Sequence, residues 1–117
     1  MTGGDRDSMA CHLLKFDKAT YAFKRRRVKD MVLPRTRHSV CSDGRYLFAS
    51  GTAADFNKKE SKAIRKKKKR VDPRTVEIYD PMGDFWELMP DLNVGRSNHS
   101  SCCLNDSLYI FCGFDAN

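Results

Sequence analysis

The sequence repeats itself, and the repeat restricts the fold more than any local pattern does. Phe16-Asp17 recurs as Tyr79-Asp80, 63 residues later, and each pair is followed six residues after its Asp by a large aromatic, Phe23 and Trp86. Arg35-Thr36-Arg37-His38-Ser39 recurs as Arg96-Ser97-Asn98-His99-Ser100 at an offset of 61. The apolar run Tyr46-Leu47-Phe48-Ala49 with Gly51 recurs as Leu108-Tyr109-Ile110-Phe111 with Gly113 at an offset of 62. Three matches in one order at nearly one spacing describe a unit that is built more than once, as in repeat architectures.

Each matched element reads as a short strand or a turn. Tyr46 to Ala49 and Leu108 to Cys112 are continuous apolar runs with aromatic and β-branched content, ended by Gly, as expected of inner strands covered on both faces. Thr75 to Tyr79 is a strand that stops at Asp80-Pro81-Met82-Gly83. There Asp can accept from the backbone ahead, Pro presets φ and Gly accepts φ > 0, so a tight hairpin is expected. Phe85 to Met89 returns as the next strand until Pro90, and His99 to Leu104 leads across Asn105-Asp106 into the following run. The reading is four antiparallel strands per copy, and a chain that is all-β. Only Glu60 to Arg70 offers a helical alternative, as a frayed, charged segment. Four-stranded units in tandem bury their faces against one another as the blades of a β-propeller.

At these residues the chain resembles the kelch-repeat family of β-propellers. Kelch-type blades carry an apolar strand ending in glycine, a Tyr-Asp turn, a Trp about six residues on, and an Arg before the next blade. Gly51, Gly113, Asp17, Asp80, Tyr79, Phe23, Trp86, Arg35, Arg96, His38 and His99 are then the structural residues of the repeat. The resemblance implies a fragment of a propeller: residues 1–34 as the second part of a blade, with Gly3-Gly4 as its double glycine, 35–90 as a complete blade, and 91–117 as the start of another. Three departures stand out. Ser50 and Cys112 occupy the place of the first glycine, Phe23 replaces the Trp, and the copy exceeds the roughly 50 residues of a kelch repeat. The excess is an insertion, 52–73, between the second and third strands. Propellers close with roughly four to eight blades, so a two-blade chain calls for further blades or self-assembly, and alone should fold poorly.

Charge is concentrated in that insertion. Lys58 to Arg70 holds nine basic residues and one acid, a net of +8, while the other 104 residues set 13 basic against 14 acidic side chains, a net of −1. Such blocks repel and are commonly solvated loops. A nuclear-import signal and contact with nucleic acid or an anionic membrane are the alternatives. With strands running up and down, the insertion shares a face with residues 27–34, beside Lys24 to Arg27. Lys66, Lys67, Lys68, Lys69, Arg70, Arg26 and Arg27 are therefore the candidate partner-binding residues, forming one positive face for an acidic partner.

Catalytic, cofactor and metal sites are not expected. The chain has no G-x-S-x-G, P-loop or H-E-x-x-H. His12, His38, His99 and five cysteines show no zinc spacing and no C-x-x-C. Cys102 and Cys103 are adjacent on a strand and point to opposite faces, so at most one lies in a core. Tyr79 and Trp86, with Phe16 and Phe23, read as packing residues rather than a base-stacking platform, since they recur at fixed strand positions. Arg35 and Arg96 are expected to reach backbone carbonyls or acidic groups near a blade rim. An odd cysteine count and the lack of a basic-then-apolar leader point to a reducing, intracellular setting, cytoplasmic with a nuclear option. The longest apolar run is five residues, far short of a membrane span. The expected role is a non-enzymatic protein-interaction module or scaffold whose loops meet a protein partner. The alternative is a nuclear or nucleic-acid-associated protein acting through 58–70.

Overall fold

The computed structural model describes residues 9–53 and 71–115. Short runs rich in Val, Ile, Phe, Tyr and Trp suit a pleated, half-buried surface, and every regular element among the described residues is a strand. Strands β1 (Cys11–Asp17) and β2 (Ala22–Val28) form a hairpin in which Phe16 faces Phe23. Strands β3 (Ser39–Ser42), β4 (Leu47–Ser50), β5 (Val76–Asp80) and β6 (Phe85–Met89) form a four-stranded antiparallel sheet in chain order. Strand β7 (Arg96–Ser97) pairs with β10 (Phe114–Asp115), and β8 (Ser100–Leu104) with β9 (Ser107–Phe111). The protein is all-β, a four-stranded sheet flanked by two-stranded ones, as a piece of a β-propeller would be.

The turns repeat as the strands do. Positive φ occurs at Tyr21 (51°) and Asp84 (51°), at Arg37 (51°) and Asn98 (52°), and at Gly51 (71°) and Gly113 (83°). These pairs are spaced by 63, 61 and 62 residues. The hairpin after β5 departs from expectation in one respect. Asp80 Oδ1 does accept from Met82 N at 2.9 Å, but the left-handed position is Asp84 and not Gly83. Asp84 is held there from outside the turn, because its Oδ1 accepts from Lys29 N at 3.0 Å and from Tyr79 OH at 2.7 Å. Those two donors, the Lys29 amide first, hold its carboxyl below the usual range. The start of β4 also shifts, to Leu47, since Asp43 Oδ1 accepts from both Arg45 N and Tyr46 N and keeps Tyr46 in the turn.

A small apolar core lies between the β1–β2 hairpin and the four-stranded sheet. It consists of Cys11, Met31, Ala49, Tyr79 and Trp86, with Val28 and Leu47 packed beside it. Tyr79 and Trp86, opposite each other on β5 and β6, bring their rings to 5.0 Å at 36°. Trp86 Nε1 donates to Lys29 O at 3.0 Å, which satisfies the one polar atom of the indole as burial requires. Burial, and then the bond to Asp84, push the Tyr79 phenol up to about 12. The equivalent pair on β1 and β2 differs. Phe16 and Phe23 also meet, at 5.3 Å, but are 45% and 67% exposed.

Strand β9 likewise departs from expectation. Its apolar run predicts an inner strand covered on both faces, yet Tyr109 and Phe111 stand about half exposed. Among the described residues β9 pairs with β8 alone, so one edge and part of one face lack a neighbour.

Candidate functional site at the sheet junction

Of the residues that repeat between copies, Arg35, Gly51, Arg96, His99 and Gly113 converge where the four-stranded sheet meets β7, β8 and the segment before β3. Arg35 precedes β3 and is wholly buried, as is Glu77 in the middle of β5. Its Nε donates to Glu77 Oε2 at 2.7 Å, and its Nη1 donates to the carbonyls of Gly51 and Thr75, both at 2.9 Å. The second carboxylate oxygen, Glu77 Oε1, accepts from Val32 N at 2.6 Å. One ion pair thus ties the incoming chain to β5 and to the end of β4. Arg35 reaches an acidic group and backbone carbonyls from a wholly buried position. The counterpart, Arg96, is partly exposed and donates from Nη1 to Cys112 O at 2.9 Å.

His99 and Gly51 occupy the same junction. Ser50 Oγ and His99 Nε2 lie 2.8 Å apart, Thr52 N donates to Arg96 O at 3.1 Å, and Asn98 N donates to Arg37 O at 2.8 Å. A Cβ on Gly113 would stand 2.6 Å from Ser97 O and 2.7 Å from His99 Cβ, so Gly113 closes onto the same histidine from the other side. The serine and histidine are a nucleophile and a base at bonding distance, but a working pair needs access and a third group to orient the base. Ser50 is fully buried and His99 Nδ1 has no partner among the described residues. The geometry holds two sheets together. Among the described residues no group of three His, Cys, Asp or Glu side chains could hold a metal ion, and no helix is long and apolar enough to cross a membrane.

His38 sits in the same neighbourhood and, with His99, makes the junction sensitive to pH. Burial first, then the charges of Arg35 and His99, depress its imidazolium from the ordinary 6.5 to about 4. Burial also lowers His99. A base with a depressed folded pKa adds nothing above the unfolded value, where both states are neutral. Between pH 6.5 and about 4 the unfolded chain takes up the proton and the folded chain does not, so stability falls as pH falls. Urea unfolding should therefore show a loss of about 3 kcal/mol from His38 across that window. Replacement by Asn should flatten this part of the profile, and an unchanged slope would remove His38 as its source.

Arg26 and Arg27 lie on β2 and are exposed. Arg27 makes a bidentate pair with Asp30 at 2.9 and 3.0 Å, and Lys24 pairs with Asp17 at 3.3 Å. Part of this cluster's charge is therefore answered locally. Lys66, Lys67, Lys68, Lys69 and Arg70 lie outside the described residues, as do Gly3-Gly4 and the helical alternative for 60–70. Asp17 and Asp80 cap their hairpins, Asp17 Oδ1 accepting from Ala19 N at 2.9 Å.

Two features escaped the sequence reading. Glu77 gave a faint signal, a lone charge between Val76 and Ile78 in a strand otherwise apolar. The other is a thiol pair, Cys41 on β3 and Cys103 on β8, whose spacing of 62 is the repeat itself. Cys103 also helps to line an apolar groove of about 390 Å³ between the four-stranded sheet and the β8–β9 hairpin, with Phe48, Val76, Met89, Leu92 and Leu108.

No protein-family model matches the chain. A segment of 42 residues, 36% of the chain, is 43% identical to Kelch-like protein 4 of Homo sapiens, and it spans 6% of that protein's length.

Proposed function

We propose that the chain is a protein-interaction module built from kelch-type repeats, a non-enzymatic scaffold whose loops meet a protein partner. The observation that carries this reading is the buried Arg35–Glu77 junction. It fixes the four-stranded sheet against the segment that enters it, while hairpin-turn residues such as Tyr21 and Met82 stand exposed. Rigid strands presenting variable loops are the usual way a repeat scaffold recognises a partner. The similarity to a kelch-like protein over 42 residues points the same way. On this reading residues 35–90 are one complete blade, 1–34 the second part of the blade before it, and 91–117 the start of the blade after it. The free edge of β9 then takes a strand from a further blade, supplied by more chain or by another copy.

Basic residues are the partner-facing candidates: Arg26 on β2 with Lys66 to Arg70 in the insertion, opposite an acidic protein surface. The test is affinity capture from cells in three arms: the wild type, a loop variant with Arg26 and Lys66 to Lys69 changed to Glu, and the scaffold variant Arg35→Ala. Nuclease is added throughout. A partner that survives nuclease, needs the scaffold and is lost with the loop charges supports the reading. Capture that vanishes with nuclease, or that is equal in the scaffold variant, overturns it.

A further inference from the structure

Strands β3 and β8 belong to different sheets, so no backbone ladder joins them. Side chains do. Ser39 Oγ meets Ser101 Oγ at 2.6 Å, and two residues further along both strands Cys41 Sγ meets Cys103 Sγ at 3.2 Å. Because side chains two apart share a face of a strand, the serine and cysteine contacts are successive rungs of one seam. All five cysteines are free thiols. Cys11 is buried in the apolar core, while Cys102 and Cys112 are exposed. Cys41 and Cys103 alone are half-buried and face a second sulfur. A disulfide bond of about 2.05 Å needs a closing movement of roughly 1 Å, within reach of a rotamer adjustment.

We propose that Cys41 and Cys103 are an oxidation site, at which a small hydroperoxide converts the thiol pair into a disulfide that staples β3 to β8. One thiolate attacks the peroxide oxygen, breaking the O–O bond and leaving a sulfenic acid and an alcohol, or water when the oxidant is hydrogen peroxide. The second thiol then attacks the sulfenic sulfur and expels its oxygen as water. The two sulfurs lose two electrons and the peroxide gains them. Burial, and then the bond to Cys41, push the Cys103 thiol up to about 12, so the reaction quickens as pH rises. The cross-link closes a loop that contains β4, β5, β6 and the whole 52–73 insertion. It fastens the four-stranded sheet to the β8–β9 hairpin, where β3 and β8 share no backbone ladder.

The test uses the full chain treated with hydrogen peroxide, with remaining thiols then alkylated and the peptides identified by mass spectrometry. The expected product is a monomer with a Cys41–Cys103 peptide pair, which in the folded chain exceeds every other cysteine pairing by at least about ten-fold and in urea does not, since proximity directs the second step. Dithiothreitol should reverse it. Oxidation should raise the thermal midpoint by on the order of 10 °C. Cys41→Ser and Cys103→Ser should each abolish the pair and the shift, while Cys102→Ser and Cys112→Ser should leave both. The comparison of pairings in the folded and urea-unfolded wild type needs no variant, so a misfolded serine variant does not blunt the test. Cross-links mainly through Cys102 or Cys112, or a Cys41–Cys103 link no more favoured over other pairings in the folded chain than in urea, would overturn the proposal.

Discussion

Arg35→Ala should remove about 3 to 5 kcal/mol of folding free energy, the range found when one member of a buried ion pair is deleted. Several groups lose their partner at once. Glu77, wholly buried, would keep only the Val32 amide as a donor. The Gly51 and Thr75 carbonyls would lose the Nη1 bonds that satisfy them; Thr75 O retains the Gly51 amide. A buried carboxylate with one hydrogen bond is far costlier than the same group in water. Small domains hold only about 5 to 15 kcal/mol in total, and the apolar core cluster among the described residues has five buried side chains, so the variant should lose a large fraction of its stability. The double replacement Arg35→Met with Glu77→Leu should recover much of the loss, since removing both charges removes the desolvation penalty as well. Urea unfolding of the two single variants and the double variant measures the coupling. A cost below about 1 kcal/mol for Arg35→Ala would show that the pair is not what holds the junction.

The arrangement of strands was legible because periodicity and turn chemistry are local. Phe85 to Met89 could be read as a strand from its aromatic content and its boundary at Pro90, and it is one, β6. Asp80 could be read as a turn residue, and its carboxylate takes the Met82 amide. Which face a strand buries is a different kind of fact, set by whatever packs against it. The sequence pairs Phe16 and Phe23 with Tyr79 and Trp86, yet one pair is exposed and the other forms the core, because only the latter has a sheet laid over it. The left-handed residue of the second hairpin was misplaced for the same reason. Asp84 adopts φ 51° with the help of Lys29, 55 residues away, and no local rule reaches that far. Arg35 could be seen to repeat, but its carboxylate partner comes from β5 and has no counterpart in the first copy, where Leu14 stands at the equivalent place. Cys41 and Cys103 were visible individually. Their contact follows only when the repeat is folded so that equivalent strands lie side by side.

Gly51→Ala should cost about 3 kcal/mol or more, and Gly44→Ala about 1, although both glycines have positive φ. The comparison separates backbone strain from crowding. At Gly44, with φ +93°, an added Cβ meets nothing within 4 Å. The substitution there reports only the penalty for a side chain in the left-handed region. At Gly51, with φ +71°, the same atom would collide with the Arg96 carbonyl oxygen and stand 2.5 Å from His99 Cε1. Neither neighbour can retreat cheaply. Arg96 O is held by the Thr52 amide at 3.1 Å, and the His99 ring is held by Ser50 at 2.8 Å. Moving Gly51 instead would stretch its own bonds, from its amide to Thr75 O at 3.0 Å and from Arg35 Nη1 to its carbonyl at 2.9 Å. Every route of relief therefore breaks a hydrogen bond in a buried site, at about 1 to 3 kcal/mol each. The two variants, with the wild type, are compared by urea unfolding at about pH 8, well above the ordinary histidine value, where the histidines of the junction are essentially neutral in both states. Equal losses at Gly44 and Gly51 would mean that the junction yields to an added methyl group, and that the glycine serves the turn alone. A loss at Gly51 two or more kcal/mol larger would mean that the close approach of β4 to the Arg96 backbone is what the glycine makes room for.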